Sequence, residues 1–339
     1  MAMPLVRIWV YEGILASSVA GMVDVFTAAN WIAAERRQSG KPTPLHWRIE
    51  SIDGRGIRTA SGQRIDVDGP ITTRSSADAV VVPGPFVPDV ERFLERKDLV
   101  TPLIAALRRQ HQRGVLLASY CTGSFLLAEA GLLDGSVATT HWARGKTFAH
   151  RYPDVDLRIN DIITEQDDII CSAAVTSALN LALRIVQKLV STEVAAETGK
   201  LMLIDSNRVA QSSYASMQEK PHSDPLVLRA QRWMEKSLQR GFSLGELARQ
   251  LAVSERTLNR RFKRAMGKTP LHYLQSLRIE VAKRLLETKS LTMDAVSRRV
   301  GYGDLSTFRR LFKRETGLLP REYQRRFSRH HWPRAAVAA

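Results

Sequence analysis

Cysteine is nearly absent: Cys121 and Cys171 are the only two in 339 residues. So few thiols exclude a disulfide framework and a cysteine-built zinc site, and reduced thiols in a reducing compartment are the expectation. No segment approaches the roughly 18 uninterrupted apolar residues of a spanning helix, so no membrane partner is expected. The N-terminus, MAMPLVRIWVYEG, lacks the basic segment, long apolar core and small-residue cleavage site of a secretory signal, and the expected location is cytoplasmic. His330-His331 has no companion ligands, so neither a metal nor any other cofactor is expected. Acidic residues are scarce at one end only. Residues 1–220 hold 24 Lys+Arg and 24 Asp+Glu, whereas the stretch from 221 onward holds 26 against 10, so the whole net charge of +16 sits there. A basic end on a neutral body points to an acidic polymer as partner of that end.

The length prior gives about two domains. From residue 6 to about 205, short β-branched runs alternate with helical patterns. Strands are expected at Val6 to Val10, Trp47 to Ile52, Ala79 to Val82, Val115 to Ser119, Val137 to Thr139 and Ile169 to Cys171. Helices are expected near 18–37, 89–111, 122–130 and 176–190. This alternation predicts an α/β, doubly wound, mostly parallel sheet over 1–205, with ligands at the carboxyl ends of its strands. A polar stretch without apolar period, 206–224, reads as a linker. An all-α domain follows over 225–330, with a tail at 331–339. Its first helix opens at Asp224-Pro225, buries Leu226, Ala230, Trp233, Met234 and Leu238, and closes at Gly241.

The all-α part contains the same module twice. Phe262, Lys263, Arg264, Gly267, Pro270 and Tyr273 recur fifty positions later as Phe312, Lys313, Arg314, Gly317, Pro320 and Tyr323. Each copy has the form of a helix-turn-helix. In the first, Leu247, Ala248 and Leu251 face inward, Ser254 caps the second helix, and Leu258 and Phe262 are buried. In the second, Val296 and Val300 face inward, Asp304 caps, and Phe308 and Phe312 are buried, after a turn one residue longer. Arg256, Asn259 and Arg260, and in the second copy Ser306, Arg309 and Arg310, then lie outward, where a major groove is read. Arginine can bond both acceptors of guanine, asparagine pairs with adenine, and serine is permissive. Lys263, Arg264, Lys313 and Arg314 suit phosphates. A helix from Pro270 to about Glu287, with Leu274, Leu277, Val281 and Leu285 on one side, joins the copies. These residues, about 226–327, resemble the AraC/XylS family of transcription regulators, most fully in AVSRRVGYGDLSTFRRLFKRETGLLPREY. Ser297 stands where that family usually has alanine. The resemblance implies double-stranded promoter DNA as the partner and those six outward residues as base-facing.

The other informative stretch is VLLASYCTGSFLLAEAGLLDGSVATTHW, 115–142. A strand runs into Cys121, and Thr122, Gly123 and Ser124 precede a helix, which is the shape of a nucleophile elbow. A thiol there is expected to have a lowered pKa from the helix dipole. His141 is the expected neighbour of Cys121, and Gly84, in VVVPGP, is placed to offer a backbone N–H to the same crevice. About residues 5–190 resemble the class I glutamine amidotransferase-like superfamily, in the branch with PfpI-type proteases. In hydrolytic members an acid near the first strand and helix supports the cysteine; here Ser17 and Ser18 stand in that place, with Glu12 nearby but offset. Ala174 and Asn180 replace the glycine and aspartate common in regulators of this type.

The combination resembles the GlxA-type regulators. It implies a transcription activator controlled by a small-molecule effector, with Glu12, Gly84, Cys121, Thr122 and His141 as candidate effector-binding residues and none catalytic. The effector class it suggests is an amino acid, a quaternary amine or a related compound. It further implies a homodimer through the N-terminal domain and RNA polymerase as a partner. The alternative is a DNA-tethered cysteine hydrolase or amidotransferase using Cys121 and His141.

Overall fold

The computed structural model describes residues 3–35, 44–72, 77–205, 211, 222–288 and 291–328. The tail, His330-His331 and most of the expected linker lie outside the described residues. The chain divides into two compact units, 1–211 and 212–339.

The first unit runs β1 (Leu5–Trp9), α1 (Ala16–Glu35), β2 (His46–Ser51), β3 (Ile57–Arg58), β4 (Arg64–Ile65), β5 (Gly69–Pro70), β6 (Ala79–Val82), α2 (Val90–Leu94), α3 (Lys97–His111), β7 (Leu116–Tyr120), α4 (Ser124–Glu129), β8 (Val137–Ala138), α5 (Gly145–Arg151), β9 (Asp156–Leu157), β10 (Ile163–Gln166), β11 (Ile169–Ser172), α6 (Ala178–Leu189) and α7 (Thr192–Leu201). Seven strands form one sheet in the order β10-β11-β7-β6-β1-β2-β5. Every pair is parallel except β10 with β11. The central strands β6 and β7 are buried at every position, as a parallel sheet covered on both faces requires, and their sequences AVVV and LLASY are correspondingly apolar or small. Helices α1, α6 and α7 pack on one another, while α3 packs on α4 and β7.

Three sequence expectations differ from this unit. The helix expected over 89–111 is two, because the chain breaks at Glu95–Arg96 while the apolar period runs on through Phe93, Leu94, Leu99 and Val100 on both sides. Val137–Ala138 pairs with β9 in a separate ribbon and takes no part in the main sheet. The edge strand β10 and the helices α5 and α7 have weak apolar patterns and were not expected.

The second unit is all helix: α8 (Pro225–Lys236), α9 (Leu244–Gln250), α10 (Glu255–Met266), α11 (Pro270–Thr288), α12 (Met293–Arg299), α13 (Leu305–Thr316) and α14 (Pro320–Phe327). The repeated residues have repeated jobs. Gly267 and Gly317 end α10 and α13 in the left-handed conformation, at φ 72° and 76°, where only glycine is unstrained. Pro270 and Pro320 each begin the next helix, and Tyr273 and Tyr323 return to stack edge-on against Phe262 and Phe312, both at 5.4 Å. Ser254 and Asp304 cap α10 and α13 through their side chains.

Two cores result, one around Leu247, Leu258 and Phe262, the other around Val296, Phe308 and Phe312. Helix α11 serves both. Leu274 belongs to the first, whereas Ile279, Ala282 and Leu286 enter the second, and the expected stripe of Leu277, Val281 and Leu285 is only half-buried. A single-face reading missed this division of labour. Helix α8 stops at Lys236 rather than at Gly241, since the carbonyls of Leu238 and Arg240 turn toward the buried Arg278 guanidinium, at 3.0 and 2.6 Å. Arg278 also lies under the Tyr302 ring, 5.2 Å from its centre, so one buried cation ties the loop after α8 to the second module. Ser297 is buried, and its hydroxyl donates to Tyr302 O at 3.1 Å.

Candidate functional site

In the first unit the expected crevice lies where β7 ends, at a turn whose residues are buried. Cys121 has φ 57°, a left-handed value forced on a non-glycine residue, and a single 3-10 turn over Cys121–Gly123 leads into α4. Such strain is the mark of an elbow. Close packing holds it. A Cβ on Gly84 would stand 2.5 Å from Thr122 N and 2.9 Å from Gly123 N, so glycine lets the β6 loop reach the backbone of the turn. Thr122 Oγ1 donates to Pro85 O at 2.9 Å. The Cys121 carbonyl accepts from Thr140 Oγ1 at 3.1 Å and Ser124 Oγ at 3.3 Å.

The electrostatics are those of a quiet thiol. Cys121 is buried, and burial pushes its pKa up; the Thr122 hydrogen bonds and the Arg144 charge oppose that without reversing it. The expected lowering of this thiol's pKa is therefore corrected: burial is the largest influence on it and raises the value. His141 sits beside the site, next to Thr140. Burial and then Arg144 push its pKa down, so the ring is neutral at pH 7, and its Nδ1 accepts from Ala143 N at 3.2 Å. That tautomer carries its proton on Nε2, which leaves the ring no free lone pair to take a thiol proton.

In the acid's place stands a neutral chain. Tyr120 Oη donates to Ser18 Oγ at 2.7 Å, and Ser18 Oγ donates to Leu15 O at 2.7 Å. Ser17 is exposed. Glu12 is exposed too, on a loop joined to the crevice rim by Phe86 N donating to Gly13 O at 2.8 Å. Tyr11, buried, donates to Pro83 O, and burial pushes both tyrosines' pKa values above their ordinary range. Arg144, Tyr11, Tyr120 and Thr140 escaped the sequence reading; the run TTHW beside the elbow's own TG was the signal available for Thr140. Cys171 is a buried structural thiol, with Ser119 Oγ donating to it at 3.4 Å.

A separate cavity of about 550 Å³ opens between β10, α6 and α7, lined by Asp161, Asn180, Leu183, Arg184, Gln187 and Thr192 among others. Its polar groups have partners already: Arg184 bonds Glu165 and Gln187, and Asn180 Nδ2 donates to Asp205 O at 2.9 Å. Among the described residues no cluster of His, Cys, Asp or Glu could hold a metal ion, and no helix is long and apolar enough to cross a membrane.

In the second unit the outward face of α10 carries Arg256, Arg260, Lys263 and Arg264, all exposed, with Asn259 half-buried. On α13, Ser306, Arg309, Arg310, Lys313 and Arg314 are exposed. Among the described residues none of Arg256, Asn259, Arg260, Lys263, Arg264, Arg309, Arg310 and Lys313 bonds a protein group, so eight polar side chains stand available. The other two are engaged. Ser306 Oγ donates to its cap Asp304 at 2.7 Å, and Arg314 is held by Glu315 and Gln275 at 2.9 and 3.0 Å. Arg261, on α10, was not expected to matter; it forks onto Asp224 at 2.6 and 2.8 Å.

Comparison with known proteins divides the chain in the same place. The helix-turn-helix domain family matches residues 247–326, and the DJ-1/PfpI family matches residues 41–188. The HTH-type transcriptional regulator CdhR of Pseudomonas aeruginosa is 27% identical over 270 residues, covering 79% of this chain and 78% of that protein. The HTH-type transcriptional regulator GbdR of the same species is 25% identical over 311 residues, covering 90% and 80%. A crystal structure of a candidate transcriptional regulator from Vibrio parahaemolyticus, 15% identical, superposes with a TM-score of 0.51 over 59% of this chain and all of its own, which supports the fold. The fold and basic helices thus define a DNA-binding transcription regulator. The chain belongs to the AraC-type regulators that carry a DJ-1/PfpI, amidotransferase-like N-terminal domain.

Proposed function

We propose that this regulator is an activator, that its first unit binds a small effector in the crevice at Cys121, and that it is not an enzyme. The state of Cys121 carries the reading. A buried thiol with a raised pKa, a histidine whose free nitrogen is already bonded, and Ser18 with Tyr120 where a carboxylate would sit make a wall for a ligand, not a nucleophile. Gly84, Thr122, His141 and Arg144, with Glu12, are the residues proposed to meet the effector. Amino acids, quaternary amines and related compounds are the effector classes to try first. Arg256, Asn259 and Arg260, with Arg309 and Arg310, read bases, and Lys263, Arg264 and Lys313 bind phosphates. Ser306 and Arg314 contribute after breaking their internal bonds. The active species is a homodimer through the first unit, acting on RNA polymerase.

A second reading puts the effector in the cavity between β10, α6 and α7, whose 550 Å³ is within the range of small-molecule sites, roughly 300–1,000 Å³. Thermal denaturation of the full chain with a panel of amino acids and quaternary amines separates the two. An effector at a hundred times its Kd stabilises by about 2.7 kcal/mol. That gain is expected to vanish in Cys121→Trp and persist in Ala196→Trp, since Ala196 lines the cavity. The reverse pattern moves the effector to the cavity, and a panel without any stabilising compound removes the sensing reading.

A further inference from the structure

Gln211 lies in the segment that joins the sheet unit to the helical unit, yet it is buried as deeply as a core residue, at 2% exposure. Its side chain is fully engaged. Nε2 donates to Thr140 O at 2.9 Å and Ile159 O at 2.5 Å, with Thr139 Oγ1 at 3.4 Å, while Oε1 accepts from Trp142 N at 3.0 Å. The backbone N–H of Gln211 donates to Asn160 O at 2.9 Å. Two donors and one acceptor at one carboxamide match the two carbonyls and one N–H offered to them, a set no other side chain of this size supplies except asparagine, which is one carbon shorter.

What Gln211 grips is the crevice itself. Thr140, whose carbonyl it bonds, gives its hydroxyl to the Cys121 carbonyl at 3.1 Å. Trp142 follows His141 and leads to Arg144, the residue whose charge acts on both Cys121 and His141. The other end of the joining segment is equally well fixed. Asp224 caps α8 by accepting from Leu226 N and Val227 N, and it holds Arg261 of the reading helix α10 in a two-bond fork.

We propose that Gln211 is the residue that couples the crevice to the chain leaving the sheet unit: it anchors that chain to residues 140–142, so a change at Cys121 alters its grip. The proposal rests on the reading of the crevice as the sensing site. Buried amide bonds of this kind hold only while all partners keep their places, because a carbonyl or N–H left unpaired in the site loses its hydrogen bond without regaining water.

The test uses the full chain carrying Cys171→Ala, so that Cys121 is the one thiol, and needs no knowledge of the effector. Hydrogen exchange reads the seat, through the Trp142 and Gln211 amides, and iodoacetamide reads the crevice, through the alkylation rate of Cys121. In Gln211→Met, similar in size but without the bonds, the Trp142 amide is expected to exchange at least tenfold faster and Cys121 to alkylate at least fivefold faster or slower than in the parent. In Thr140→Val, which cuts the bond to Cys121 and leaves Gln211 intact, the Gln211 amide is expected to lose at least threefold of its protection. Gln211→Ala serves if the methionine lowers the melting temperature. Trp142 exchange unchanged in both Gln211 variants shows that the seat is not occupied and overturns the proposal. Freed Trp142 with Cys121 reactivity within twofold of the parent shows a seat without coupling and overturns it equally. If both readouts move while no metabolite stabilises the chain, the coupling stands and the sensing reading fails alone.

Discussion

Among side chains, the division that matters is between those already bonded within the protein and those that stand free. Arg310 is exposed on α13 without a protein partner among the described residues, and so is Lys313 one turn on. Alanine at Arg310 is expected to cost about 1–3 kcal/mol on the selected operator and little on random DNA, since a base contact discriminates. Alanine at Lys313 is expected to weaken both alike, because phosphates carry no sequence. Equal losses on operator and random DNA for Arg310→Ala, read by titration at fixed salt, would remove α13 as a reading helix. Sequence alone exposed these arginines because helical periodicity places them opposite Phe308 and Phe312. It could not show that Ser306 and Arg314 are engaged, since Asp304, Glu315 and Gln275 compete for them through contacts that periodicity does not contain. Nor did it reveal Gln211, a lone glutamine in a polar stretch, whose role depends on carbonyls 52 and 71 residues earlier in the chain.

Helices and turns were the most legible level. The repeat of glycine, proline and aromatic residues fixed the order and ends of α10, α11, α13 and α14, because each of those residues has a local backbone reason to stand where it does. Gly267 and Gly301 separate local from tertiary cause. Both have positive φ, 72° and 81°, but nothing lies within 4 Å of a Cβ at Gly267, whereas one at Gly301 would stand 2.5 Å from Leu238 O and 2.7 Å from Arg278. Gly267→Ala is expected to cost about 1–2 kcal/mol, the price of a left-handed residue alone. Gly301→Ala is expected to cost at least about 3 kcal/mol, because backbone must also shift and the Arg278 bonds with it. Urea unfolding of the two variants checks the ranking; equal losses would mean that the Leu238–Arg278–Gly301 contact is not tight in solution. The elements missed were β3, β4, β5 and β9, whose two residues each carry no period, the helices α5 and α7, and the edge strand β10, which pairs antiparallel with β11 across a tight turn at Asp167–Asp168.

The whole molecule is a neutral sheet unit joined to a basic helical one, and the charge asymmetry legible in the composition is its most robust functional signal. Full-length protein is expected to lose DNA affinity steeply with salt, with a log-log slope reflecting several phosphate contacts, and residues 1–211 alone are expected not to bind. Comparable binding by that fragment would overturn the assignment of DNA contact to α10 and α13. The elbow was legible as a turn, from small residues after an apolar strand, and the missing acid was legible from Ser17 and Ser18. The burial of Cys121, the Nδ1 bond of His141 and the Ser18–Tyr120 bond were not, because all three are tertiary. The account's central claim is that Cys121 lines a sensing crevice and performs no chemistry. The most direct measurement is the metabolite response of a promoter reporter driven by Cys121→Ser, with thiol-dependent hydrolysis of amide substrates assayed on the wild type alongside. The account predicts an induction ratio within about twofold of wild type, where a regulatory coupling amounts to roughly 5–150-fold, and no turnover. Loss of induction in the serine variant together with turnover by the wild type would contradict it.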